Sequence, residues 1–240
     1  VRTIVQRCHP AMAVLVVTAA YTGLRWGELA GLRWNRVDLT RGVITIAPGD
    51  GALHEIGGHL RLGPPKTKAS ARTVHLPPFL TELLTTHRSD QNDHFHEHVF
   101  TGVEGGLLRR TNFRRRVWLP AVGGDPRRGW APVLPGLHFH DLRHTHKTWL
   151  IEDGVPEVLQ HKRLGHRMPG IRGTYSHVTH IMVDAMLDGL QRRWEQSVVT
   201  STPEQGVTTY GGVDHTKIVC SQFAPTTAER PAGEDHRRAV

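Results

Sequence analysis

Between Leu137 and Tyr175 the chain reads LHFHDLRHTHKTWLIEDGVPEVLQHKRLGHRMPGIRGTY, a stretch rich in the residue types that handle a phosphodiester. His140 and Arg143 stand three residues apart, His166 sits in an LGH turn, and Tyr175 follows nine residues later. Breaking a phosphodiester without water takes a nucleophile, charge compensation on the non-bridging oxygens and a proton for the departing 5′ oxygen. A guanidinium stays charged and offers forked donors that match phosphate oxygens, so Arg143 together with Arg25, far upstream, can clamp both non-bridging oxygens. Such a clamp stabilises a pentavalent transition state as an oxyanion hole does, and two arginines can stand in for the divalent metals many nucleases use.

Tyr175 is the candidate nucleophile. A phenol titrates near ~10, so attack at neutral pH needs positive charge nearby or a base to take its proton, and the arginines with His140 supply both. For the leaving oxygen, PPKTKASARTVHLP places Lys66 and Lys68 on a mobile loop before a strand, from which an ammonium can deliver a proton. Lys66 is the first choice and Lys68 the reserve. Taken singly, each residue has a plainer reading: HxxR as a surface charge pair, the tyrosine as packing, the lysines as solvated. Only the ensemble points to chemistry.

The elements that must position these groups are readable in outline. Residues 10 to 22, PAMAVLVVTAAYT, form a buried helix that Thr22 and Gly23 terminate, which leaves Arg25 just past a helix end. In WGELAGLRW, apolar residues at Trp26, Leu29, Ala30 and Leu32 suit a short amphipathic helix with Glu28 and Arg33 on its outer face. VITIA (43 to 47) and RTVHL (72 to 76) are β-rich runs on either side of a Gly- and Pro-rich stretch, and predict a small antiparallel sheet with a basic loop or hairpin. Pro77 and Pro78 open a helix, PFLTELLTTHR, with Phe79, Leu80, Leu83 and Leu84 at helical spacing. HDLRHTHKTWL is helical, so His140 and Arg143 at i and i+3 share one face. THIMVDAMLDGLQRRWEQ (179 to 196) is a further helix. Seven arginines between 109 and 128, with Phe113, Val117 and Trp118 on an apolar side, suit a helix laid along a DNA backbone as well as an ordinary solvated face.

Composition bounds the rest. With 240 residues, 38% of them hydrophobic, the chain can bury one good core, or one domain with a tail. Lys plus Arg outnumber Asp plus Glu by 30 to 22, a net charge of +8 that favours a polyanionic partner, nucleic acid before others. Cys8 and Cys220, far apart, give neither a disulfide framework nor a cysteine-rich metal site and imply a reducing, cytoplasmic setting. The longest apolar run, Ala11 to Ala20, is too short for a bilayer span. HFHEH invites a zinc reading through His94, His96 and His98, but the flanking SDQND reads as a solvated loop, and no metal is expected. Beyond Ser197, Thr, Ser, Pro and Gly dominate, so residues 197 to 240 are expected to be a mostly disordered tail.

Five pieces, in order, then carry a resemblance: TGLRWGELAGLRW around Arg25, PKTKASARTVHLP around Lys66, HDLRHTH around His140 and Arg143, LGH at His166, and TYSHV at Tyr175. With 23 residues from Arg143 to His166 and nine more to Tyr175, the chain resembles the catalytic domain of the tyrosine recombinases, the phage integrase family, over about residues 10 to 190. The resemblance implies a mainly α fold with a small antiparallel β-sheet at one edge (α+β), occupying residues 1 to 196. It implies that Arg25, Lys66, His140, Arg143 and His166 assemble around the scissile phosphate of double-stranded DNA, that Tyr175 forms a 3′-phosphotyrosyl link, and that Glu28 supports the site structurally. It further implies a homo-tetramer on two paired duplexes, with no cofactor and no ATP. The helical DNA-clamping domain that the family places ahead of this one has no counterpart in the sequence, and an upstream region is expected before Val1. A type IB topoisomerase using the same residues on one duplex, and an inactive DNA-binding remnant, are the competing readings.

Overall fold

The apolar run near the start of the chain becomes the centre of the molecule. In a computed structural model, residues 1–91, 97–102, 104–168 and 177–199 are described. Helix α1 (Arg2–Gln6) leads into α2 (Pro10–Thr22), which is apolar on every side, with Leu15, Val16 and Ala20 fully buried. Its proline occupies the first turn, where a missing N–H costs nothing, and it closes on Gly23 at φ 66°, whose N–H bonds the Ala19 carbonyl. A helix buried all round has to be wrapped. The wrapping comes from α1 and α3 (Trp26–Ala30), from α4 (Pro78–Asp90), and from α7 (Asp141–Glu152).

Between α4 and α7 the chain forms α5 (Arg110–Phe113), which runs through a π-helical turn, Arg114–Trp118, into α6 (Leu119–Gly123). After α7 come α8 (Glu157–Leu164) and α9 (His180–Val199). Helix α9 docks through Trp194, whose ring stacks on Phe79 with centroids 4.4 Å apart, while Tyr21 of α2 meets Phe79 edge-on at 4.8 Å. Three helices far apart in sequence are thereby pinned at one aromatic contact. The helix expected over 179–196 continues to Val199; the remainder of the expected tail lies outside the described residues.

The antiparallel sheet expected from residues 43–47 and 72–76 forms, and the stretch between them folds as a separate hairpin. The first has the order β1–β2–β5, antiparallel, formed by β1 (Val37–Asp38), β2 (Val43–Ile46) and β5 (Arg72–His75), with Ile44 opposite Val74. The second is a hairpin, β3 (Ala52–Ile56) with β4 (His59–Gly63), closed by Gly57 and Gly58, both at positive φ, as the tightest hairpin turn requires. Helix α3 lies directly on this hairpin. A Cβ on Gly27 would come within 2.7 Å of the Leu53 carbonyl oxygen, and one on Gly31 within 2.7 Å of the Leu53 nitrogen, so only glycine permits the approach.

One expectation is corrected here. Glu28 does not lie on an outer face of α3; it is 2% exposed, because two arginines draw its carboxylate inward. Arg33 lies beyond the helix and pairs with Asp50 and Glu97. His98, at the end of HFHEH, forms an isolated antiparallel bridge with Arg33, while His94 and His96 lie outside the described residues. No helix among the described residues is long and apolar enough to cross a membrane.

Candidate active site

Arg25 is placed by the turn that Gly23 makes possible. It stands at the N-cap of α3, where its backbone N–H donates to Glu28 Oε2 at 2.9 Å, and its side chain donates from Nη1 to Glu28 Oε1 at 3.1 Å and to Ser70 Oγ at 2.9 Å. Glu28 is held from the other side by Arg72, Nη1 to Oε1 at 3.1 Å and Nη2 to Oε2 at 3.0 Å, a forked pair. Arg72 also donates to the carbonyls of Arg163 and Ser70, both at 2.6 Å. Burial raises the Glu28 pKa, but Arg72 and then Arg25 outweigh it, and the carboxyl is held below its ordinary value. One carboxylate thus ties α3, β5 and the turn before β5 together behind Arg25.

Arg143 and His140 come from the start of α7. His140 is the N-cap, still with helical dihedrals, and Arg143 sits one turn in, 5% exposed. The guanidinium donates from Nη1 to the Gly23 carbonyl and from Nη2 to the Leu164 carbonyl, and Nη2 lies 3.0 Å from His166 Nε2. A guanidinium has only donors, so His166 Nε2 accepts and the ring proton is on Nδ1. His166 follows Gly165, which closes α8 at φ 65°; a Cβ there would stand 2.9 Å from Ser70 Cα and 3.0 Å from the Ala69 carbonyl oxygen. The LGH turn therefore brings His166 to Arg143 while α8 presses on the segment behind Arg25.

Beneath these groups lies a brace the sequence reading did not find. Arg163, 3% exposed, donates to His146 Nε2 at 2.9 Å, to the His75 carbonyl at 2.8 Å and to the Tyr21 carbonyl at 2.8 Å, linking α8 to α7, β5 and α2. His146 is wholly buried. Burial first, then the Arg163 charge, hold it well below its ordinary pKa, so it is neutral and accepts the arginine's N–H. Arg72, Arg163 and His146 were missed because a buried arginine is recognisable only once its chain-distant partners are known. The one available signal was Arg72 itself, an arginine heading a β-rich run.

The pocket carries strong positive charge. Burial, then the Arg25 and Arg72 charges, push Arg143 down to about 9, which leaves it charged at neutral pH. Burial, then Arg143 and Arg25, push His166 down to about 4, so it is neutral at pH 7. His140 is lowered by burial, then by His144, Arg143 and Arg25. Arg25 thus acts on Arg143, and both arginines act on His140 and His166, while the nearby Glu28 carboxylate is already committed to arginines. An anion set among them would relieve that mutual repulsion.

Lys66 lies on the loop that leaves β4 and is exposed. It shares with Arg25 and His140 the lining of a cleft of about 1080 Å³, which Arg110, Phe113 and Phe139 also line. Lys68 begins a 3-10 turn, Lys68–Ser70, and is not among the residues lining that cleft. Of the arginines between 109 and 128, Arg110, Arg114, Arg115, Arg116, Arg127 and Arg128 are exposed. Tyr175 lies outside the described residues.

Comparison with known proteins bears on what this pocket belongs to. The family model described as the phage integrase family matches residues 1–181. The chain is 30% identical over 196 residues to a tyrosine recombinase XerC-like protein of Caldanaerobacter subterraneus, covering 70% of this chain and 46% of the relative. It is 28% identical over 189 residues to the prophage phiRv2 integrase of Mycobacterium tuberculosis, covering 73% and 44%. The chain spans a little under half the length of these relatives. Among solved structures, the Tn1549 transposon integrase in complex with circular intermediate DNA superposes with a TM-score of 0.56 at 20% identity, covering 74% of this chain and 59% of that one. The chain belongs to the phage integrase family, and its fold is that of a tyrosine recombinase catalytic domain.

Proposed function

We propose that the chain cuts and rejoins double-stranded DNA at specific sites by transferring a strand to Tyr175, the chemistry of integration or excision of a mobile element. The observation that carries this reading is the approach of Arg143 to His166 beside Arg25, a charged pocket suited to one phosphate, in a chain of this family. Arg25 and Arg143 take the two non-bridging oxygens of the scissile phosphate. The Tyr175 Oη–P bond forms as the P–O5′ bond breaks. The phenolic proton passes to a neutral imidazole, for which His140 is suited, and Lys66 protonates the departing O5′. The position of Lys66 on the same cleft as Arg25 and His140 favours it over Lys68. His166, whose Nε2 accepts from Arg143, donates its other ring N–H to a non-bridging oxygen.

The 3′-phosphotyrosyl link keeps the energy of the bond it replaces, so a second strand's 5′-hydroxyl reverses the step without ATP. Rejoining to a new partner needs two duplexes brought together, for which a tetramer of this chain is the assembly. The test is covalent capture on nicked duplexes, randomised around the nick, whose short leaving strand is lost on cleavage. An SDS-resistant protein–DNA adduct that disappears in Tyr175→Phe supports the reading. Binding without an adduct overturns it.

A further inference from the structure

Lys66 stands on a loop that is held by a side chain from the far strand of the hairpin before it. The Nε2 of His54, on β3, lies 2.8 Å from the carbonyl oxygen of Pro64, two residues ahead of Lys66. A carbonyl only accepts, so His54 donates from Nε2. The ring packs on Gly63, where a Cβ would meet His54 Cδ2 at 3.1 Å, so the end of the hairpin is closed over the imidazole. His54 and Lys66 line the same cleft, together with Arg25 and His140.

The strand that carries His54 is fixed at both ends. Near its start, Leu53 lies against Gly27 of α3, the helix that Arg25 caps, and against Gly31 at that helix's C-cap. At the tip, Arg109 reaches over from the N-cap of α5, donates to the Gly58 carbonyl at 2.7 Å and pairs with Glu55 at 3.5 Å. A short mechanical path therefore runs from Arg25 through α3 and β3 to His54, Pro64 and Lys66.

We propose that His54 is a positioning residue for Lys66: its bond to the Pro64 carbonyl sets the loop so that the ammonium faces the leaving oxygen, with Arg109 steadying the hairpin that presents it. This rests on Lys66 as the proton donor in the reading above. A donor on a free loop would have to find its place in each turnover, and loss of alignment of this kind is expensive in rate.

The experiment compares two leaving groups on the duplex captured in the adduct assay. In one substrate the scissile bond is the natural P–O5′; in the other the bridging oxygen is sulfur, which departs as a thiolate and needs no proton. Lys66→Ala is expected to be slow on the oxygen substrate and restored on the sulfur one. His54→Phe, which keeps a ring but has no donor, is expected to cleave the oxygen substrate about tenfold more slowly while the sulfur substrate reacts at the wild-type rate. His54→Gln, whose amide can donate to the same carbonyl, is expected to recover most of the loss. Equal slowing of His54→Phe on both substrates, or slowing on neither, overturns the role of His54 and leaves Lys66 standing. Failure of sulfur to restore Lys66→Ala overturns the proton donor and the inference with it.

Discussion

Arg143 and His166 meet at 3.0 Å, and the same guanidinium also donates to the carbonyls of Gly23 and Leu164. The guanidinium is thus gripped by two helix ends, and its planar fork is what makes the grip possible. Replacement by lysine keeps one charge and loses the fork. Arg143→Lys is expected to lower the cleavage rate by about 100-fold or more while changing DNA affinity by less than about threefold. Fluorescence anisotropy and adduct formation on the same duplex decide it; equal losses in both would count against the phosphate clamp.

Glu28 carries the largest expected effect on stability. Its removal leaves Arg72 buried without its counter-charge, a change that costs about 3–5 kcal/mol in comparable buried pairs. Glu28→Gln should therefore move the urea midpoint down substantially, with the slope unchanged. The pH dependence follows from the depressed carboxyl: its contribution is present above the ordinary carboxylate value near 4.5 and is lost as pH falls through the lower folded value. The variant should lack that component of acid unfolding.

His166 offers a test that requires no cleavage. In the free protein its pKa is pushed down to about 4, by burial and then by Arg143 and Arg25. A phosphate placed beside it raises that value, so binding takes up a proton, and affinity grows as pH falls below the raised value toward 4. DNA affinity at fixed ionic strength should rise from pH 7 to pH 5, and the rise should be smaller in His166→Gln. An unchanged slope in the variant would place the phosphate elsewhere.

Gly165→Ala should be disproportionately harmful for one methyl group. The residue is at φ 65°, where an L side chain costs about 1–2 kcal/mol, and the added carbon would stand 2.9 Å from Ser70 Cα. Relief of that overlap pushes α8 off the segment behind Arg25 and carries His166 with it. Loss of adduct beyond what the fall in the denaturation midpoint explains is the expected result.

Much of this was legible in the chain because it was local. The apolar run of α2, the glycine that ends it and the three-residue step from His140 to Arg143 each fix their geometry within one turn of helix. What was not legible depends on partners distant in sequence. Glu28 looks like a solvated carboxylate until Arg72, 44 positions away, is seen to hold it. Arg163 looks like part of a basic helix end until the carbonyls of Tyr21 and His75 close on it. The β3–β4 hairpin is a different case: a loop or hairpin was legible between the two β-rich runs, and its strand bounds were blurred by the density of glycine and proline around Gly57-Gly58. Tyr175, the proposed nucleophile, was legible only as part of the TYSHV motif and lies outside the described residues.

The contact between α3 and the β3–β4 hairpin is made by glycine against main chain, at Gly27 and Gly31 on one side and Leu53 on the other. A joint of that kind is indifferent to the identity of the side chains around it. Ile56 and His59, both exposed near the tip, can therefore drift through evolution or be rewritten by design without loosening the seat of the hairpin. The same joint is unforgiving of a single methyl on the helix side, so tolerance and intolerance to mutation should sit within a few ångströms of each other.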